Sequence, residues 1–344
     1  MRILLTGGAG FIGQHVLDAA LRAGHEVLVL DNLRTDVHPT SSWEPPNGVR
    51  LLQGDVRDAA TCDDAIHGAD TVIHLAAKVG LGVDISDLPD YASCNDAGTA
   101  TLLAQMAAAA QTSLVLAASM VVYGEGRGDC TEHGLSRGLP RTAGNLATGD
   151  FEPRCVTCGR VLTPALVDES TPADPRNAYA VSKLAQEHYS STWARETSSS
   201  ATALRFHNVY GPGMPRNTPY AGVASLFTAA LRRGEAPRVF EDGGQRRDFV
   251  HVRDIATAVL AAAEQPREGF RAYNVGSGTP RTVGDLAAEL ATALDGPSPQ
   301  VTGQWRLGDV RHITADSSAI RRELGWKPRE DFAAGIRELA TGSA

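Results

Sequence analysis

The tightest constraint on this chain lies at its start. An apolar run, Ile3 to Leu5, meets glycines at 7, 8, 10 and 13 and opens into an apolar helix from Phe11 to about Ala23. Gly8, Gly10 and Gly13 satisfy G-x-G-x-x-G, and Gly7, Gly10 and Gly13 satisfy G-x-x-G-x-x-G. Glycines here allow a tight turn, let backbone approach a pyrophosphate, and bring helix and strand together. The helix N-terminus then offers amide groups and a positive dipole end to phosphates. Alone the spacing is weak, but a second strand, Glu26 to Leu30, ends in Asp31, 18 residues after Gly13. A carboxylate there accepts hydrogen bonds from the adenosine ribose and repels a 2′-phosphate, which selects NAD over NADP.

Further short apolar runs at Val49–Gln53, Thr71–Leu75, Ser113–Ala117 and Ala201–Phe206 alternate with helix-like segments, notably the alanine-rich Tyr91–Ala110. This alternation predicts an α/β fold, a Rossmann-type doubly wound parallel sheet. The expected division is a Rossmann domain over 1–210, carrying an insertion at 125–169, and a smaller α/β substrate lid over 211–344. Short strands near Arg238–Phe240 and Ala272–Val275 are assigned to that lid, with a helix over Thr282–Leu294. A net charge of −8 argues against a nucleic-acid partner. No apolar run reaches the roughly 20 residues of a membrane span. Five cysteines and an immediate first strand point to a cytoplasmic chain without a disulfide framework.

The insertion shows no clear period, and a loop that long needs a function or a staple. It holds Cys130-Thr-Glu-His133 and, after 21 intervening residues, Cys155-Val-Thr-Cys158. Two such turns can present four ligands tetrahedrally, which predicts a zinc-ribbon-like insertion with a closed structural zinc site at Cys130, His133, Cys155 and Cys158. Unrelated reduced thiols beside a surface histidine are the plainer alternative.

Tyr179 and Lys183 are four residues apart and share one helix face. A phenol titrating near 10 is a poor base at neutral pH. The Lys183 ammonium, together with a nicotinamide cation, would favour the phenolate. Ser119 follows the fifth strand at its carboxyl edge, where ligands bind in this architecture. Tyr179, Lys183 and Ser119 are therefore the candidate catalytic residues.

With these motifs on one chain, the sequence resembles the extended short-chain dehydrogenase/reductases, in the nucleotide-sugar epimerase/dehydratase branch. The resemblance rests on Thr6–Gly13, Asp31-Asn32-Leu33, Gly54-Asp55-Val56, His74-Leu-Ala-Ala77 and Ser119-Met-Val-Val-Tyr-Gly124. Tyr179–Lys183, Arg205-Phe-His-Asn208, Arg247-Asp-Phe-Val-His251 and Gly308-Asp309 continue the series. It implies NAD contacts from Gly7, Gly10, Phe11, Ile12 and Gly13, from Asp31 and Asn32, and from Asp55 and Val56 at the adenine. Leu75, Ala76, Ala77, Asn95, Tyr179 and Lys183 would complete the cofactor site. Substrate contacts are implied for Ser119, Met120, Val121 and Tyr179, with Asn208, Arg247 and Arg306 on the pyrophosphate and Asp309 or Arg311 nearby. The resemblance also implies a homodimer formed by the helices at about Tyr91–Ala110 and Tyr179–Arg195, with Ala107–Ala110 permitting close packing.

Within the branch, the run after Ser119 discriminates. Dehydratases carry an Asp-Glu pair there and decarboxylating relatives a glutamate, whereas Met120 and Val121 can neither donate nor accept a proton. The insertion after a Ser-Met-x-x-Tyr-Gly run is similar to sequences of dTDP-L-rhamnose 4-epimerase type. The expected activity is therefore NAD-dependent 4-epimerisation of a dTDP- or UDP-(6-deoxy)hexose through a transient 4-keto sugar. A decarboxylase, dehydratase or net dehydrogenase of the same branch is the alternative. A non-enzymatic NAD-sensing protein would typically lack Tyr179 or Lys183.

Overall fold

The structure is a computed structural model and describes residues 1–38, 43–80, 85–215 and 222–342. Its centre is a seven-stranded sheet of β1 (Arg2–Thr6), β2 (Glu26–Asp31), β3 (Arg50–Gln53), β4 (Thr71–His74), β5 (Ser113–Ser119), β6 (Ser200–Phe206) and β7 (Gly269–Val275). The spatial order is β7-β6-β5-β4-β1-β2-β3, and every pairing is parallel. β1, β4, β5 and β6 are buried almost throughout, as parallel strands covered on both faces require. The strand order reverses between β1 and β4, so a crevice opens at their carboxyl ends, where Ser119 also stands. Helix α1 (Phe11–Arg22) covers one face and the Tyr179 helix, α2 (Ala178–Thr197), the other.

Three features differ from the sequence reading. The Ala272–Val275 run belongs to the Rossmann sheet, where Gly269–Val275 pairs with Ser200–Phe206 along its whole length. The helix Val252–Glu264 likewise packs on α1 beneath that sheet. The chain thus returns after residue 251 to finish the first sheet, which does not end with the elements before residue 210. The insertion is also no structureless loop. Arg127–Cys130 pairs antiparallel with Gly134–Arg137 and with Thr163–Pro164, and a short helix spans Ala143–Ala147. Finally, the helical stretch expected over 91–110 runs from Leu88 to Ala108 and widens to π geometry over Ala92–Ala97.

Helices Val223–Arg232, Val283–Ala293 and Phe332–Thr341, with strands Arg238–Val239 and Phe249–His251, pack a second core around Phe227, Leu286, Leu290 and Ile336. Helix Val283–Ala293 within it begins at a Thr282–Asp285 capping box, as the 282–294 pattern predicts. Among the described residues no helix is long and apolar enough to cross a membrane.

Candidate active site

The glycine turn is shaped by contacts that exclude any side chain. Gly7 has φ +72°, and a Cβ there would lie 2.7 Å from the Ala76 amide nitrogen. A Cβ on Gly13 would lie 2.2 Å from the Gly7 carbonyl oxygen. Gly10 is different: its added Cβ would meet only that same oxygen, at 3.3 Å. Gly7 and Gly13 therefore let β1, α1 and the loop after β4 close on one another, while Gly10 faces open space. That open space is a cavity of about 390 Å³ running along the carboxyl ends of the strands. Every cofactor residue expected from sequence borders it except Asn95.

Asn95 has another task. Its side chain accepts from the Lys78 amide at 2.7 Å and donates to the Lys78 carbonyl and to Ser182 Oγ, both at 2.9 Å. It clamps the loop after β4 to α2, from the π turn of the neighbouring helix. At the adenosine end, Asp31 accepts from the amides of Ala9 (3.0 Å) and Leu33 (2.9 Å), tying the second strand to the glycine turn. Asp55 accepts from Asn32 at 2.9 Å and pairs with Arg57, whose bonds hold its carboxyl well below the usual range. Sequence reasoning missed Arg34 and Lys78, which also border the cavity. Each lies next to a motif that was read, and both reach Asp90, at 3.1 and 2.7 Å.

Tyr179 and Ser119 border the other end of the same cavity. Burial pushes the Tyr179 phenol up to about 12, with the Ser119 hydroxyl pulling the other way. Burial pushes the Lys183 ammonium down to about 7, opposed by Glu187. Lys183 Nζ donates to the Ala117 carbonyl at 2.9 Å and lies 6.0 Å from the Tyr179 ring centre. A positive charge beside Tyr179 would oppose the upward shift of its phenol. Met120 and Val121 do not border the cavity; Met120 packs on the apolar cluster of Val122, Tyr123, Val167 and Ile313.

The residues expected at a pyrophosphate separate into two kinds. Arg247 donates to the carbonyls of Arg246 and Arg311 (both 2.9 Å) and Val310 (2.6 Å), and no ion pair to it occurs among the described residues. Its withdrawal from water lowers its pKa to about 10. Asn208 Oδ1 is buried without a hydrogen-bond partner among the described residues. Arg306 is exposed, stacked 5.2 Å over the Phe240 ring. Asp309 is half-buried, and burial raises its carboxyl pKa against the pull of Arg306 and Arg247. Arg311, in contrast, is 2% exposed and bonds Glu152, Glu241 and Asp242 with Nε and both Nη atoms. All five of its donors serve carboxylates, so the expected phosphate contact is not available to Arg311.

The insertion brings Cys130, His133, Cys155 and Cys158 together, with their ligand atoms all within 4.8 Å of one another. Sγ of Cys130 is 3.6 Å from His133 Nδ1 and 3.6 Å from Cys158 Sγ; Cys155 Sγ is 3.9 Å from Nδ1. Tetrahedral zinc with bonds of about 2.3 Å to sulfur and 2.0 Å to nitrogen sets ligands roughly 3.5–3.8 Å apart. Two of the six separations fall in that range, a third is 3.9 Å, and all lie within 4.8 Å, so the donor set suits that ion.

A profile described as the NAD dependent epimerase/dehydratase family matches residues 3–142 and 157–276. The chain belongs to that family. A dTDP-L-rhamnose 4-epimerase of Burkholderia thailandensis is 33% identical, the match covering 99% of this chain and 94% of that one. The crystal structure of Thermus thermophilus UDP-glucose 4-epimerase complexed with NAD superposes with a TM-score of 0.78 at 28% identity, covering 99% and 98%. A dTDP-glucose 4,6-dehydratase from Streptomyces venezuelae, solved with NAD, gives 0.77 at 26%, covering 99% and 96%. The gap in the family match, 143–156, falls inside the insertion.

Proposed function

We propose that this member of the family is an NAD-dependent nucleotide-sugar epimerase that inverts C4 of a (6-deoxy)hexose carried on dTDP or UDP. The observation that carries the reading is a cavity bordered at one end by the glycine turn and Asp31 and at the other by Tyr179, Lys183 and Ser119. The apolar pair Met120-Val121 follows Ser119 and supplies no acid or base for loss of water. NAD, when bound along the glycine turn, supplies reversible two-electron oxidation beside the sugar. Tyr179 removes the proton of the 4-hydroxyl and later returns it, and Ser119 hydrogen-bonds the same oxygen. Lys183 orients the cofactor ribose and contributes positive charge toward Tyr179. Arg247, with Arg306 and Asn208, holds the pyrophosphate, because among the described residues no carboxylate pairs with its cation and an Arg fork suits phosphate oxygens. With that end anchored, the keto sugar can turn and present its other face.

The supporting experiment incubates NAD-loaded protein with dTDP-L-rhamnose, UDP-glucose and UDP-galactose. A product of unchanged mass and inverted C4 is expected from at least one of them; loss of water or carbon dioxide contradicts the reading. The insertion would hold one structural zinc through its four ligands, leaving no open position for catalysis. Protein purified without chelator should carry about one zinc per chain. Cys155→Ser should lower that content and open residues 125–169 to protease while the Rossmann core stays folded. Full protection of the insertion in metal-free protein would reject the zinc.

A further inference from the structure

The insertion reaches into the lid with two side chains, and both act on one short segment. Arg141 is buried; its Nη1 donates to Glu241 at 2.7 Å and its Nη2 to the Asp309 carbonyl. Glu152 accepts from Arg311 Nε and Nη2 at 3.0 and 2.7 Å and pairs with His312 Nε2 at 2.8 Å. The Arg311 amide donates to Glu125 at 2.9 Å, where the insertion leaves the sheet. Residues 309–312 are thus held from the insertion side by backbone and side chain together. The same segment anchors Arg247: the Val310 and Arg311 carbonyls each take a guanidinium hydrogen. With the Arg246 carbonyl these use three of the five donors of Arg247 and, among the described residues, leave two.

We infer that Arg141, Glu152 and Arg311 are positioning residues: they lock residues 309–312 so that the Val310 and Arg311 carbonyls aim the free donors of Arg247 at the substrate pyrophosphate. The inference rests on the pyrophosphate role proposed above for Arg247. A guanidinium fixed before binding loses less freedom when phosphate arrives. Because pyrophosphate is held equally in ground and transition states, the advantage belongs to substrate affinity and not to turnover. It also gives the insertion a reason to sit against residues 309–312: it braces a binding residue through an intervening segment.

The test uses NAD-loaded, full-length Glu152→Gln and Arg141→Gln, with Arg141→Lys as the conservative companion. Calorimetry gives Kd for free dTDP and UDP on the NAD-loaded protein and for NAD on protein stripped of it, and kinetics separate KM from kcat. The two glutamine variants should bind the nucleoside diphosphate roughly threefold to thirtyfold more weakly, the scale of residues that act through others. Their kcat and NAD affinity should stay near the parent, and Arg141→Lys should recover part of the loss. Glu152 is partly exposed, so its variant decides the matter should Arg141→Gln fail to fold. Variants that match the parent in nucleotide affinity overturn the inference while leaving the epimerase reading intact. So does a parallel loss of kcat and NAD affinity, which general loosening would produce. A parent that binds neither dTDP nor UDP overturns the Arg247 role and this inference with it.

Discussion

Replacing Gly13 by alanine should separate the two jobs of the glycine turn when set beside Gly10→Ala. At position 13 the new methyl would lie 2.2 Å from the Gly7 carbonyl oxygen and 2.7 Å from Gly8 Cα, about 1 Å or more inside ordinary contact. Both obstacles are backbone, so no rotamer change relieves them. The turn is pinned by hydrogen bonds from Gly10 N to Gly7 O (3.2 Å) and from Gln14 N to Gly10 O (3.0 Å), so α1 must slide away from β1. Overpacking of this kind costs about 3 kcal/mol or more. For a large domain that lowers Tm by roughly 6 °C, and NAD binding should be lost with the turn. Gly10 has φ −73° and ψ 171°, which alanine adopts readily, and its methyl would enter the cavity. Gly10→Ala should therefore melt within about 2 °C of the parent and still bind NAD poorly. Thermal unfolding and an NAD titration of both variants check this. Parental melting of Gly13→Ala, or parental NAD affinity in Gly10→Ala, would refute the reasoning.

Tyr179→Phe should keep its fold and NAD affinity and lose roughly two to four orders of magnitude in turnover; a loss under threefold removes Tyr179 as the base. Asp31→Ala should bind NAD more weakly and narrow its preference over NADP, and a parent that binds both equally contradicts the role of Asp31. Burial holds His74 down to about 3 and His207 and His251 to about 4. The unfolded chain protonates these groups near 6.5, so their contribution is complete above that pH and lost as pH falls toward 4. Tm should thus decline already between pH 6.5 and 5, less steeply in His74→Gln; a flat Tm there contradicts it. The helices Gly98–Ala108 and Ala178–Thr197 pack together, with Ala107–Ala110, Val181 and Tyr189 left exposed. Light scattering should give about twice the 36.3 kDa chain mass; a monomer at micromolar concentration rejects a homodimer through this face.

The parts of this molecule legible in its sequence are those set by local pattern. The apolar runs of β1, β2, β4, β5 and β6 announce buried parallel strands, and the glycine spacing fixes what can follow β1. Tyr179 and Lys183 share a face because the helix repeat dictates it. Partnership across long separations is different. Ala272–Val275 has the composition of any short strand, and only pairing with Ser200–Phe206 places it in the first sheet. Arg247 and Arg311 read alike, since a guanidinium suits phosphate and carboxylate equally. What separates them is the fold, which among the described residues gives Arg311 three carboxylates and Arg247 only carbonyls. The insertion hid its order for a related reason: two-to-four-residue strands show no period, and the Cys and His spacing was its one readable mark.

The most direct test of the central claim is to follow the label in a nucleotide sugar deuterated at C4, turned over by the NAD-loaded enzyme in ordinary water. Oxidation at C4 and return within one closed site predict a C4 epimer of unchanged mass that keeps its deuterium, with no net NADH accumulating. Release of the label to solvent, a product lighter by water or carbon dioxide, or stoichiometric NADH would contradict it.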